Sequence, residues 1–331
     1  MKRNIFIIIS CLYISFLYGL QYFSYNFFFE VTISFLPYFQ LVNIFILGFL
    51  LILFYKSKIF LFEKVANNYE VHMITSVLLV VFIFFTVFFN IKIIDFYFIP
   101  NHQINSNLES TDIKVSFFNK NFTNNNYDEI SKAFTNLNPD VIIVAESEPL
   151  LEEKILKLKE YPFRDRSIGE KYFPISIYSK YKIENSVYNS NVDLLYNEIN
   201  FNGKKINIIS THPVAPINEE ALAYRNRQLK IICNFSNNII SKSKILLGDF
   251  NLSNWSPRYE EFVHCLKNMK NTAKGQGIKF TWTGNLLTKP FEIKTHIDHI
   301  FISDDLQLNM YQIYGNYHSD HNLIFVDLNV Y

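Results

Sequence analysis

Three long runs without a charged residue dominate the first third of the chain. They extend from Asn4 to Phe29, from Val31 to Tyr55 and from Val71 to Ile91, stretches of 26, 25 and 21 residues rich in Ile, Leu, Phe and Val. A helix needs about 20 apolar residues to cross a bilayer's hydrocarbon core. The pattern therefore predicts an all-α membrane region over residues 1–96, with three transmembrane helices at about 5–23, 35–55 and 72–90. Lys2 and Arg3 ahead of the first run also suit a signal peptide. The run is long for that, and no small-x-small site follows it, which favours retention over cleavage.

Beyond residue 96 the pattern changes. Residues 97–112, with the polar stretch Pro100–Asp112, read as a linker, and 113–331 as one domain. Ile113–Phe118 reads as a strand, Tyr127–Leu137 as a helix ended by Pro139-Asp140, and Val141–Ala145 as a short, fully buried strand. Asn202-Gly203 between two alternating runs predicts a hairpin over Tyr196–Ile209. Glu219–Ile240 reads as a long helix. Lys244–Leu247, Phe280–Thr283, Ile297–Ile302 and Leu323–Leu328 read as further strands. Helices and strands mix without strict alternation, and a hairpin lies among them. This predicts an α/β (α+β) four-layer sandwich: two packed mixed sheets flanked by helices.

Composition narrows the field. Of 331 residues, 49% are hydrophobic and 18% charged, which excludes a disordered chain, and three Cys exclude a disulfide scaffold. Cys233 and Cys265 can pair outside the cytoplasm, but their spacing fits no known framework. Residues 100–331 carry 25 basic and 26 acidic side chains, so no broad basic footprint points to nucleic acid. A local basic patch would suffice for that. Lys2, Arg3, Lys56, Lys58 and Lys64 flank the apolar runs, while only Glu30 lies between the first two. Basic ends stay in the cytoplasm. With three crossings, this places the domain outside, on an integral protein of the inner, cytoplasmic membrane; Lys92 opposes this mildly.

Polar side chains at strand ends are the candidate chemistry. Asn119, Glu146 and His212 each follow an apolar strand. Gly248-Asp249-Phe250-Asn251 follows another, Asp298 opens a strand, and Ser319-Asp320-His321 precedes the last. Singly, each has an ordinary reading. Asn119 is a turn former, Glu146 a solvated carboxylate, His212 a loop histidine, Gly-Asp-x-Asn a turn, and Ser-Asp-His a cap or turn. Their force lies in the order of all five places together.

That order resembles the endonuclease/exonuclease/phosphatase superfamily, whose members include apurinic endonucleases, pancreatic-type deoxyribonucleases, inositol-polyphosphate phosphatases and neutral sphingomyelinases. The pieces that carry the resemblance are PDVIIVAE (139–146), STHPVAP (210–216), GDFNLSNWSP (248–257), FTW (280–282), IDHIFIS (297–303) and SDH (319–321). Trp255-Ser256-Pro257 and Arg225-Asn226-Arg227-Gln228-Leu229 look like a bacterial membrane-anchored subgroup with N-terminal transmembrane helices. That subgroup usually has Phe-Gly before a Leu-Ser-Arg strand. Here Pro174 replaces the Gly in Phe173-Pro174, and Lys180 replaces the Arg after Ser179.

The resemblance implies a hydrolase of phosphate esters that uses Mg²⁺ or Mn²⁺, a phosphodiesterase or nuclease-like enzyme with in-line attack by activated water. It makes Glu146 the principal metal ligand, with Asn119 beside it and Asp320 completing the set. Carboxylates of this kind suit a hard divalent cation. His321 contacts the scissile phosphate, oriented by Asp298; Asp249 positions or deprotonates the attacking water; Asn251 and His212 stabilise charge on the pentacoordinate phosphate. The implied partners are the substrate, either nucleic acid or a lipid head group, and the lipid bilayer; no obligate protein partner is implied. Phosphatase or phospholipase action on lipid head groups is one alternative. A calcineurin-like metallophosphoesterase is rejected, because it needs Gly-Asp-x-x-Asp and Gly-Asn-His, where this chain has Gly-Asp-Phe-Asn and Gly315-Asn316-Tyr317-His318. A catalytically inactive membrane-tethered sensor is disfavoured by the presence of all eight site residues.

Overall fold

Apolar runs in this chain become helices or strands according to where their caps and breakers fall. The structure is a computed structural model that describes residues 2–61, 69–101, 111–167, 174–240, 242–285 and 292–331. It contains two compact units, residues 1–96 together with Trp255–Pro257, and residues 97–254 together with 258–331. Most of the expected linker, and Lys64, lie outside the described residues.

Among the described residues the first unit has four helices: α1 (Lys2–Tyr22), α2 (Phe27–Ile33), α3 (Leu36–Leu61) and α4 (Tyr69–Phe98, whose last two residues belong to the second unit). The expectation of three membrane-crossing helices needs correcting. Among the described residues one stretch, Ser76–Phe98, with mean hydropathy 2.7, is long and apolar enough to cross a membrane. Phe27–Ile33 and Leu36–Gly48, bent by 79° at the break between them, make at most a second. The second uncharged run is not one element. Asn26 caps α2 by accepting from the Phe28 amide (3.1 Å), and Pro37 starts a new helix because its ring tolerates only the first turn. The apolar part of α4 also ends eight residues later than the pattern predicts. It absorbs Lys92, whose Nζ donates to Gln21 Oε1 (3.0 Å) and lies 5.1 Å from the Phe88 ring centre. Inside this unit Gln40 of α3 donates to the Thr86 carbonyl of α4 (2.6 Å), and Asn43 donates to Gln40 within α3 (2.9 Å), so a buried amide bonds two helices together.

The second unit runs β1 (Thr111–Asn119), α5 (Tyr127–Leu137), β2 (Val141–Ala145), α6 (Pro149–Leu156), β3 (Phe163–Arg166), β4 (Ser176–Ser179), β5 (Ile183–Asn189), β6 (Leu194–Phe201) and β7 (Lys204–Thr211). It continues with α7 (Glu219–Asn238), β8 (Lys244–Asp249), α8 (Pro257–Cys265, whose first residue belongs to the first unit), β9 (Met269–Asn271), β10 (Trp282–Asn285), β11 (Glu292–Thr295), β12 (Asp298–Ser303), β13 (Leu306–Ile313) and β14 (Ile324–Val330). One six-stranded sheet has the order β13-β14-β1-β2-β4-β3, the other β5-β6-β7-β8-β12-β9, and β10-β11 form a separate ribbon. The fold is therefore two mixed sheets with flanking helices, as the pattern predicts.

Each six-stranded sheet holds one parallel pair, β1 with β2 and β7 with β8, joined through α5 and α7. These crossovers form for local reasons. α5 buries Ile130, Ala133 and Phe134 on one face and stops where Asn138 turns left-handed (φ 46°) ahead of Pro139. α7 starts where the Asn218 side chain accepts from the Ala221 amide (2.8 Å). β2 and β8 are buried along their whole length. The Asn202-Gly203 turn has both residues at positive φ (52° and 85°), as a primed hairpin turn requires. Cys233 on α7 and Cys265 at the end of α8 are disulfide-bonded.

Gly248 sets the approach of β8 to β7. It adopts φ 153°, and a Cβ there would sit 1.9 Å from the Thr211 carbonyl oxygen, which is fixed backbone. Gly248→Ala is expected to cost about 2 kcal/mol or more, since both strain and the clash must be relieved. Urea unfolding of the variant measures this, and a midpoint equal to wild type would contradict the tight approach.

Candidate active site

The two parallel pairs end at the same place. The carboxyl ends of parallel strands are where α/β sheets gather ligands. β1 ends on Asn119 and β2 just before Glu146; β7 ends just before His212, and β8 on Asp249. Asp298 opens β12 and stands opposite Asp249 in the antiparallel β8–β12 ladder. Asp320 and His321 lie shortly before β14, which pairs with β1.

Seven of the eight candidate residues form one connected network. Asn119 Nδ2 donates both to Glu146 Oε1 (3.2 Å), within its own sheet, and to Asp249 Oδ2 (3.1 Å), on the other. His212 Nε2 lies 3.6 Å from Asp249 Oδ2 and 3.8 Å from Glu146 Oε1. His321 Nε2 lies 3.5 Å from the same Asp249 oxygen. Its Nδ1 faces the two oxygens of Asp298 at 3.0 and 2.9 Å. The Asn251 amide donates to Asp249 Oδ1 (2.8 Å). Asp320 joins through Asn121, whose backbone amide donates to Asn119 Oδ1 (3.0 Å) and whose Nδ2 donates to Asp320 Oδ1 (2.7 Å), while Asp320 Oδ2 accepts from Trp282 Nε1 (2.9 Å). Glu146 and Asn251 hold positive φ (56° and 47°), backbone strain of the kind that collects at functional sites.

Charge is unbalanced here. Burial, then the neighbouring Asp298 charge, push the Asp249 carboxyl above its ordinary range, against the pull of His321 and His212. Burial alone would lower His321, but the Asp298 and Asp249 carboxylates override it and raise the imidazole to about 10. His321 is thus a cation at neutral pH. Among the described residues no Lys or Arg pairs with Glu146, Asp249, Asp298 or Asp320; Lys120, buried beside Asn119, is taken by Glu148 (3.0 Å). Four carboxylates therefore face two imidazoles.

A divalent cation fits this donor set, because its carboxylates are hard ligands that no Lys or Arg meets among the described residues; the Asn119 amide oxygen is a hard ligand too, and here accepts from the Asn121 amide (3.0 Å). Asp249, Asp298 and His321 also offer ligand atoms within 4.8 Å of one another, where a single imidazolium stands between two carboxylates and leaves one negative charge unmet. Glu146 and Asp320, which no Lys or Arg meets among the described residues, add two further carboxylates to that excess.

Several supporting residues lie in the quoted motifs, but their roles show only in the fold. In Phe280-Thr281-Trp282, Thr281 Oγ1 accepts from the Ile297 and Asp298 amides (3.0 Å each), seating Asp298, while the Trp282 indole seats Asp320. Asn121 repeats the two-residue spacing from Asn119, the one pattern that could have flagged it. Arg225 and Gln228 of α7, both buried, reach the loops after β8 and β7. Lys180, where the resemblance leads one to expect Arg, donates to Asn138 and Asp140 before β2, at the end of that strand opposite Glu146.

Residues 104–321 match the model of the Endonuclease/Exonuclease/phosphatase family. No curated protein matches the sequence. Among solved structures the chain is similar to TDP2 from D. rerio complexed with a single-strand DNA product (17% identity, TM-score 0.58, covering 66% of this chain and 100% of that one). It is also similar to an endonuclease/exonuclease/phosphatase family protein from Bacteroides thetaiotaomicron (15%, TM-score 0.53, 68% and 100%). A third is a doubly substituted beta toxin from Staphylococcus aureus with bound magnesium ions (20%, TM-score 0.51, 65% and 99%). At these identities the likeness is one of fold. The match of the family model over about two thirds of the chain, on a two-sheet fold with these residues at its strand ends, means that the chain belongs to the Endonuclease/Exonuclease/phosphatase family.

Proposed function

We propose that this protein is a membrane-anchored, divalent-metal-dependent phosphodiesterase acting on nucleic-acid-like substrates. The observation that carries the reading is the convergence of Asn119, His212 and His321 on the buried Asp249 carboxylate. Glu146, Asn119 and Asp320 would hold Mg²⁺ or Mn²⁺, which supplies positive charge for the phosphate oxygens. His321, kept cationic by Asp298, contacts the scissile phosphate. Asp249 orients the attacking water and accepts its proton, a role that its raised basicity favours. His212 and the Asn251 side chain stabilise charge that builds on the phosphate. The DNA product bound to the D. rerio relative supports a nucleic-acid phosphodiester as substrate. A lipid head group is the second reading, favoured by the apolar helix stretch Ser76–Phe98.

Hydrolysis of a chromogenic diester by the full chain should stop with excess EDTA and return with Mg²⁺ or Mn²⁺. Full activity in EDTA, or a requirement met only by tightly held zinc, would refute the metal assignment.

His321→Ala should lower turnover by roughly three orders of magnitude. Asp298→Asn should be severe as well, since it removes the charge that orients the imidazole. The double variant should be little worse than His321→Ala alone. Losses that multiply, with circular dichroism unchanged, would dissolve the pair.

In this reading the catalytic unit lies outside the cytoplasm. Lys56, Lys58 and Lys64 precede the Ser76–Phe98 stretch, and the Cys233–Cys265 disulfide suits an oxidising compartment. Alkaline phosphatase fused to the C-terminus should be active, and the denatured, unreduced chain should show a single free thiol, that of Cys11. An inactive fusion with three free thiols would reverse the orientation.

A further inference from the structure

α7 carries a buried arginine and a buried glutamine that no step above uses. Arg225 and Gln228 are each 1% exposed and lie three residues apart, on one helical face. Burying a guanidinium is costly unless its donors are met. Arg225 Nε and Nη2 both donate to Asn226 Oδ1 (3.1 and 2.8 Å), which fixes the plane of the group. Nη1 is then aimed at the Asn251 carbonyl, at 2.6 Å. Gln228 Oε1 accepts from the Val214 amide (2.9 Å), two residues after His212. The two loops are themselves joined, because Asn251 Nδ2 donates to the Pro213 carbonyl (3.0 Å).

Asn251 needs such a hold. Its φ of 47° is a left-handed conformation that asparagine tolerates but does not prefer, and its amide must point at Asp249 Oδ1. A donor fixed on its carbonyl keeps the following peptide from turning over, so Asn251 is held on both sides, by Asp249 at its N–H and by Arg225 at its carbonyl. We infer that Arg225 and Gln228 are positioning residues for the reaction, holding the Asn251 and His212 loops in register from one face of α7. The inference rests on the reading above, in which Asn251 and His212 act on the phosphate.

The test uses the detergent-solubilised full chain with Mg²⁺ and bis(p-nitrophenyl) phosphate. Arg225→Met keeps the length and removes the donors; it should lower kcat by about 10- to 100-fold with KM within threefold. Arg225→Lys, which retains a donor, should recover at least a third of wild-type kcat. In an Asn251→Ala background, Arg225→Met should add less than a threefold loss, because coupled residues fail to add. Should Arg225→Met not fold, Gln228 decides the matter by the same logic. Gln228→Met should lose about tenfold in kcat, Gln228→Glu, which keeps the acceptor, less than threefold, and the loss should vanish in a His212→Ala background. Wild-type kcat in Arg225→Met or Gln228→Met, or losses that multiply with Asn251→Ala or His212→Ala, would overturn the positioning role while leaving the proposed function intact. Wild-type kcat in both Asn251→Ala and His212→Ala would instead remove the functional reading, and the inference with it.

Discussion

The Asp249 carboxylate, 2% exposed, is the acceptor on which both halves of the site meet. Asn119 reaches it from one sheet, His212 approaches it from the end of β7, His321 lies against it, and the Asn251 amide closes its other oxygen. A carboxylate this deep survives only if its charge is met. Here the opposing charge is His321, itself held cationic by Asp298. Each group is stable because the others are present, which makes the cluster rigid. The geometry also depends on Gly248, whose missing side chain lets β8 come within backbone contact of Thr211 and brings Asp249 beside His212.

The fold places this cluster by repetition of one device. A strand, a crossover helix and a parallel strand occur once in each sheet, and each delivers two polar groups at its carboxyl end. Antiparallel strands then bring in Asp298 opposite Asp249, and the approach to β14 brings in Asp320 and His321. Nothing in the apolar core does chemistry; it fixes where strands stop. Because β2 is buried along its whole length, Glu146 just beyond it has little freedom to move.

Elements with strong local signals were legible in the sequence. α5, β2 and the β6–β7 hairpin fall where periodicity, the Pro139-Asp140 stop and the Asn202-Gly203 turn put them. Elements stabilised by their neighbours were not. Edge and near-edge strands such as β3 and β5 carry mostly polar or half-exposed residues, and the three-residue β9 is too short to show a period. The break before Pro37 was read through, because an uncharged run looks continuous while its helix is bent. At the site, side chains standing at strand ends could be named from the sequence. Thr281, Trp282 and Arg225 lie in motifs visible there too, but their contacts with Asp298, Asp320 and Asn251 are not visible, since only the tertiary fold brings donor to acceptor.

The most direct test of this account is the kinetics of Asp249→Asn. The substitution keeps the shape and removes the charge on which His212 and His321 converge. If Asp249 is the shared acceptor and the group that takes the proton from water, hydrolysis of bis(p-nitrophenyl) phosphate with Mg²⁺ should fall by roughly three orders of magnitude, measured at a temperature where circular dichroism shows the variant folded. Turnover within tenfold of wild type, on a folded protein, would contradict the account.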